Sequence, residues 1–201
     1  MGSFFLSSEI EWVLFCDVDE LFEKEKLGHF LSTFALSSYT AIRFATYWYF
    51  RSASLRAKEQ PNGPLLIRRS ALHPELLLHP DERCGIFHKV PGKKEQEVKD
   101  TKGAPLVHHY SWVRQEQELR HKVKTWGHHW ERNWQKLIDE ELKGAFSGTD
   151  FVRGYTYEKV EPYFDPLLEP IPEIAEKKRQ VHQVTAQELF RLEIKSLLNQ
   201  P

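Results

Sequence analysis

The chain has 201 residues, is 40% hydrophobic and 13% aromatic, and carries a formal net charge of −1 with its ten histidines neutral. Such a composition supports one packed domain with room for a helical appendage and excludes a disordered chain, while the near-zero charge supplies no drive toward nucleic acid. Two cysteines, Cys16 and Cys84, without a Cys-x-x-Cys spacing, no apolar run near the ~20 residues of a spanning helix, and no secretion signal in the first residues together predict a cytoplasmic protein.

Trp12 to Cys16 is apolar without a break, which reads as a strand buried on both faces. Asp17, Asp19 and Glu20 follow at once. A buried strand ending in acids delivers them to the carboxyl edge of a sheet, where open α/β folds bind ligands. Asp17 and Asp19 then reach one hard cation, Mg²⁺ or Mn²⁺. The competing reading makes the same acids turn and cap residues. Leu27, Phe30, Leu31 and Phe34 recur at helical spacing and predict an amphipathic helix over 24–37.

Thr40 to Phe50 is dense in β-branched and aromatic residues and predicts a strand. The rings of Tyr47, Trp48, Tyr49 and Phe50 must face both sides of it, either lining a cleft or lying in a sheet covered on both faces. A turn at Pro61-Asn62-Gly63-Pro64 leads to a short strand ending in Arg68 and Arg69. That pair suits phosphate binding through planar donor forks, though solvated edge charge is the more frequent use. Leu76-Leu77-Leu78 running into Asp81 and Glu82 repeats the theme of an apolar run ending in acids. Residues 91–103, charged and glycine-bounded, read as a surface excursion or a hairpin.

Leu106-Val107 runs into His108-His109, two side chains that point to opposite faces of a strand, so at most one joins a given site. From Gln115 onward Leu119, Val123, Trp126, Trp130, Trp134, Leu137 and Leu142 predict one long amphipathic helix bent near Gly127, with the Trp stripe as core contact. Lys122, Lys124, His128, His129 and Arg132 make part of it basic: a solvated face, or an approach to an anionic substrate or a peripheral membrane surface. A proline-stiffened strap over 161–172 and a capping box, Thr185-Ala186-Gln187-Glu188, opening a final helix complete the chain.

The segment from Trp12 to Glu20 resembles the Asp-x-Asp strand and loop of GT-A glycosyltransferases of the family 2 type. His108 to Arg114, Lys122 to His128, Phe151 to Tyr155 and Val160 to Phe164 are similar to the C-terminal half of a bacterial subgroup, so the likeness covers 10–165. It implies an α/β fold, a truncated GT-A-like mixed sheet flanked by helices, with a core over 1–114 and a helical region over 115–201. It implies transfer of a sugar from a nucleotide-sugar donor to a saccharide or other hydroxyl acceptor. Mn²⁺ or Mg²⁺ would be held by Asp17 and Asp19 with His108 or His109, and Asp17 would meet the donor ribose or the metal. Asp81 or Glu82 would be the base that deprotonates the acceptor. Arg68 and Arg69 are the candidates for donor phosphate, and Tyr47, Trp48, Tyr49 and Trp112 for the acceptor cleft.

In GT-A folds about the first 100 residues form the nucleotide-binding half, whereas eleven precede the strand at Trp12. The expectation is that the base-binding strands are missing and that an exposed sheet edge offers a route to a homo-oligomer. Two further readings follow from the same residues. One is a non-catalytic binding or assembly module derived from such an enzyme. The other is a haloacid-dehalogenase-like phosphatase with Asp17 as nucleophile and Asp19 as acid/base, against which stand Glu20-Leu21 in place of Thr and the lack of a later Gly-Asp-x-x-x-Asp.

Overall fold

The structure is a computed structural model that describes residues 9–79, 81–126 and 130–164. Among these the chain is mixed α/β: β1 (Trp12–Phe15), β2 (Glu20–Phe22), α1 (Lys24–Thr33), β3 (Ala41–Phe50), β4 (Ser52–Ala57), β5 (Asn62–Arg68), α2 (Pro74–Leu77), α3 (Glu82–Lys89), β6 (Lys94–Val98), β7 (Val107–Trp112), α4 (Glu116–Thr125), α5 (Trp134–Glu141) and β8 (Tyr157–Lys159).

β3 is the hub. Its β-branched and aromatic residues favour a long pleated strand, and eight of its ten residues are buried. Its first half pairs antiparallel with β5 and parallel with β6. Its second half pairs parallel with β7 and antiparallel with β4. Register shifts interrupt each of these ladders, which bends the strand and curls the mixed sheet. β1 lies antiparallel outside β5, with Trp12 opposite Arg68, and β2 lies antiparallel outside β7, with Glu20 opposite His109. The short segment between Phe15 and Glu20, which carries the acids, therefore links the strand outside β5 to the strand outside β7.

Two layers of apolar side chains fix this arrangement. Phe30 of α1 packs on Ile42, Phe44, Leu66, Leu106 and Val107. Trp48, Phe50 and Trp112 pack against Leu119 and Val123 of α4 and Trp134 and Ile138 of α5. Burial of each such side chain stabilises the fold by about 1.5–3 kcal/mol.

The structure corrects several expectations. β1 is not buried on both faces: it ends the sheet, Leu14 is 40% exposed, and no strand pairs with its outer side among the described residues. α1 stops at Thr33 because Phe34 turns extended and 36–38 form a 3₁₀ turn. The apolar run Leu76-Leu77-Leu78 lies in and just after the short helix α2, opened by Pro74 with its fixed φ, and Leu78 is left exposed. The charged excursion contains β6, paired in register with the start of β3.

The long helix is two helices. α4 ends where Trp126 turns extended, and α5 begins afresh at Asn133, whose side chain accepts a bond from the Lys136 N–H. Arg120 pairs with Asp139 between them. Gly127, His128 and His129, the strap beyond Phe164 and the final helix lie outside the described residues. No helix among the described residues is long and apolar enough to cross a membrane.

Candidate functional site

The acids after β1 form a tight turn that is also a cluster. The Glu20 N–H donates to the Asp17 carbonyl at 3.1 Å, and the Asp17 N–H donates back to Glu20 Oε2 at 2.8 Å. Val18 projects at the apex, 99% exposed. The Tyr110 N–H of β7 donates to the Asp19 carbonyl at 2.9 Å and holds the turn on the sheet. The turn reading and the site reading of these acids thus describe the same loop.

Because β2 starts at Glu20 opposite His109, these two side chains share one face of the sheet. Glu20 is buried, and its Oε1 has no hydrogen-bond partner among the described residues. The approach is close enough to require glycine at 63: a Cβ there would lie 2.3 Å from Thr46 Cγ2 and 3.0 Å from Glu20 Oε1. His109 Nδ1 stands 4.0 Å from Glu20 Oε1, its Nε2 stands 3.4 Å from Asp19 Oδ1, and its ring meets Trp48 edge-on at 4.8 Å. One donor atom each from Asp17, Glu20 and His109 lie within 4.8 Å of one another.

Positive charge reaches the cluster from two elements remote in sequence. Arg83 of α3 donates to Glu20 Oε2 at 2.5 Å and to Asp17 Oδ2 at 2.8 Å. Glu82, just before it, holds φ 47°, a left-handed conformation that costs a non-glycine residue about 1–2 kcal/mol. Arg114, after β7, donates to Asp19 Oδ2 at 3.1 Å. Burial alone raises the Asp19 carboxyl, but the hydrogen bond and charge of His109, with Lys122 and Arg114, more than offset it and hold the pKa at about 2.

Two carboxylates and one imidazole, with a buried oxygen left over and exposed Asp17 open to solvent, form a donor set that fits a hard-to-borderline divalent cation. The imidazole favours Mn²⁺ over Mg²⁺. The Arg83 guanidinium supplies the compensating charge that a buried carboxylate requires.

The structure brings together only part of the expected set. Asp17 and His109 are in it; Glu20, not Asp19, gives the second carboxylate, and Asp19 instead bridges His109 and Arg114. His108 faces the other side of the sheet, where Nδ1 meets the Tyr49 hydroxyl at 2.8 Å, Nε2 meets Glu23 Oε1 at 3.0 Å, and Tyr163 stacks on the ring at 4.3 Å. Asp81 is exposed beside His79 at the start of α3, so the residue α3 brings to the cluster is Arg83. Arg68 lies at the far end of β1, where it bonds Glu11 and the Tyr39 carbonyl over the Trp12 ring; the Arg69 N–H donates to the Glu11 carbonyl there. The rings expected to line a cleft divide between faces: Tyr47 and Tyr49 lie with His108, Trp48 with His109. Tyr49 and Trp112 are 1% exposed and present no surface to an acceptor.

A further buried carboxylate, Asp150, is closed by contrast. It accepts from the N–H groups of Val152, Arg153, Gly154 and Tyr155 and from the Tyr157 hydroxyl, which builds the loop before β8. Comparison with protein-family models, with curated proteins and with solved structures gave no match.

Proposed function

We propose that the chain is a metal-dependent glycosyltransferase of GT-A type, transferring a sugar from a nucleotide-sugar donor to a hydroxyl acceptor at the Asp17–Glu20–His109 cluster. The observation that carries the reading is the unpartnered, buried Glu20 Oε1 turned toward His109 within a convergent three-residue donor set. The resemblance of the Trp12–Glu20 segment supplies the reaction class. Asp17, Glu20 and His109 would hold Mn²⁺ or Mg²⁺, whose chemistry is to stabilise the charge that builds on a departing nucleoside diphosphate.

The chain's own residues do the rest. Arg83 neutralises Asp17 and Glu20, and with a cation held by those carboxylates its guanidinium would be available to donor phosphate. Asp19 and Arg114 orient the His109 ring from its Nε2 side. Asp81 and Glu82, adjoining Arg83, remain the candidates on position for the acceptor's base. The free Cys16 and Cys84 support a cytoplasmic location, and the unpaired outer side of β1, with exposed Leu14, supports self-association.

Calorimetric titration of UDP and GDP, with and without Mn²⁺, tests the reading on wild type and on Glu20→Gln checked for folding by circular dichroism. Manganese-dependent nucleotide binding lost in the variant is the expected result. Absence of binding by either nucleotide to the wild type overturns it.

A further inference from the structure

Lys122 of α4 is a cation that makes no direct ion pair among the described residues. It is half-buried, with Nζ 5.3 Å from the Trp112 ring centre and 5.8 Å from that of Trp126. Its one hydrogen bond goes to a neutral group, Ser111 Oγ at 2.8 Å, and no carboxylate pairs with it among the described residues. Contact with two indoles returns part of the hydration an ammonium loses. It does not replace a charge partner, and a partly desolvated ammonium without one is costly. Burial, with Arg114 adding to it, pulls the Lys122 pKa below the ordinary lysine value, while Asp19 and Asp17 act the other way from a distance.

The surroundings of Lys122 are open and polar. Arg114, Gln117, Glu118, His121, Lys122 and Thr125 line a groove of about 420 Å³ along α4. The acid among them, Glu118, is held at the start of the helix, where its Oε2 accepts from the Gln115 N–H in the capping box. Arg114, which lines the groove, also donates to Asp19 Oδ2 at 3.1 Å.

We propose that this groove is an anion subsite, with Lys122 as its fixed charge and Arg114 and His121 as its flanks, and that it takes a phosphate group. The planar guanidinium and the compact ammonium are the two side chains best suited to phosphate oxygens. The subsite stands on Lys122 and the groove, independently of the transferase reading. Its place in a transfer reaction does rest on that reading, where the phosphate belongs either to the donor's diphosphate or to an anionic acceptor.

The experiment is a titration of the full chain with inorganic pyrophosphate in the presence of EDTA, followed by tryptophan emission because Trp112 and Trp126 flank the ammonium. The wild type is expected to bind saturably, more weakly at high salt. Lys122→Met keeps the apolar stem against the indoles and is expected to weaken binding at least ~10-fold; Lys122→Arg is expected to retain it, and Lys124→Gln, on an exposed residue, to stay within about twofold. If Lys122→Met does not fold, acetylation of the wild type with acetic anhydride reads the same contact, with pyrophosphate slowing modification of Lys122 and not of Lys124. Absence of saturable binding, equal affinity in folded Lys122→Met, or unprotected Lys122 overturns the proposal.

Inorganic phosphate added to chain loaded with Mn²⁺ and UDP separates the two sources. Competition with UDP assigns the groove to the donor, and simultaneous binding assigns it to the acceptor. Pyrophosphate binding without any manganese-dependent nucleotide binding would leave the subsite standing and sink the transferase reading.

Discussion

His108 and His109 are neighbours on β7 and meet opposite conditions on the two faces of the same sheet. His108 is closed: both ring nitrogens are within 3.0 Å of a partner, Glu23 is in turn held by Lys26 at 2.8 Å, and Tyr163 covers the ring. His109 is loosely held, with its nitrogens 3.4 Å and 4.0 Å from carboxylate oxygens, one of which has no other partner. Short, complete hydrogen bonding locks a side chain into the fold, while long, converging and incomplete contacts leave donor capacity for something else. The fold's stability is therefore expected to depend on the His108 face and ligand binding on the His109 face.

The sharpest way to break this comparison is to remove the charge that neutralises Glu20. Arg83→Met leaves Glu20 buried without its guanidinium and is expected to cost about 3–4 kcal/mol in urea unfolding. Added Mn²⁺ should recover part of that loss in the variant, seen as a larger rise in Tm than in the wild type. Next in size, His108→Ala strands the buried Tyr49 hydroxyl and the Tyr163 stack and should cost about 2–3 kcal/mol, while leaving Mn²⁺ affinity within about twofold. His109→Ala should do the reverse, with stability within about 1 kcal/mol of wild type and Mn²⁺ affinity lowered at least ~10-fold.

Two pH effects sharpen the contrast. Burial holds the His108 pKa below its ordinary 6.5, although Glu23 opposes it, so the folded protein binds fewer protons than the unfolded chain. Its contribution is complete above pH 6.5 and is lost as the pH falls below that value, so His108→Gln should flatten the dependence of Tm on pH between about 7 and 5. Asp19, held at about 2 against an ordinary 3.8, contributes above 3.8 and loses that contribution as the pH falls toward 2. Asp19→Asn should therefore cost about 2 kcal/mol at neutral pH and nothing at the acid end of that window.

Local pattern made part of this legible in the sequence. The apolar run into Asp17 marks a strand entering an acidic loop, the aromatic run marks β3, and the two-residue period of a strand separates His108 from His109. What local pattern does not contain is pairing. Glu20 rather than Asp19 joins the cluster because β2 pairs with β7 in the register that sets Glu20 opposite His109, and that register lies 89 positions apart in the chain (109 − 20). Arg83 arrives from a helix 63 residues after Glu20, in a segment where an apolar run into acids recurs. The same limit applied to Trp126–Asn133: a helical period ran through it, but the caps at both ends made two helices that pack on each other. In the sequence Lys122 is one member of a basic face; only the folded chain shows that, among the described residues, its direct hydrogen bond goes to Ser111 and not to an acid.

The central claim is that Asp17, Glu20 and His109 form a divalent-cation site. Electron paramagnetic resonance of free Mn²⁺, titrated against the wild type, Glu20→Gln, His109→Ala and His108→Gln, tests it most directly. Stoichiometric uptake by the wild type and His108→Gln, lost in Glu20→Gln and His109→Ala, is the predicted result. Wild-type protein that takes up no Mn²⁺, or uptake unchanged in both Glu20→Gln and His109→Ala, would contradict it.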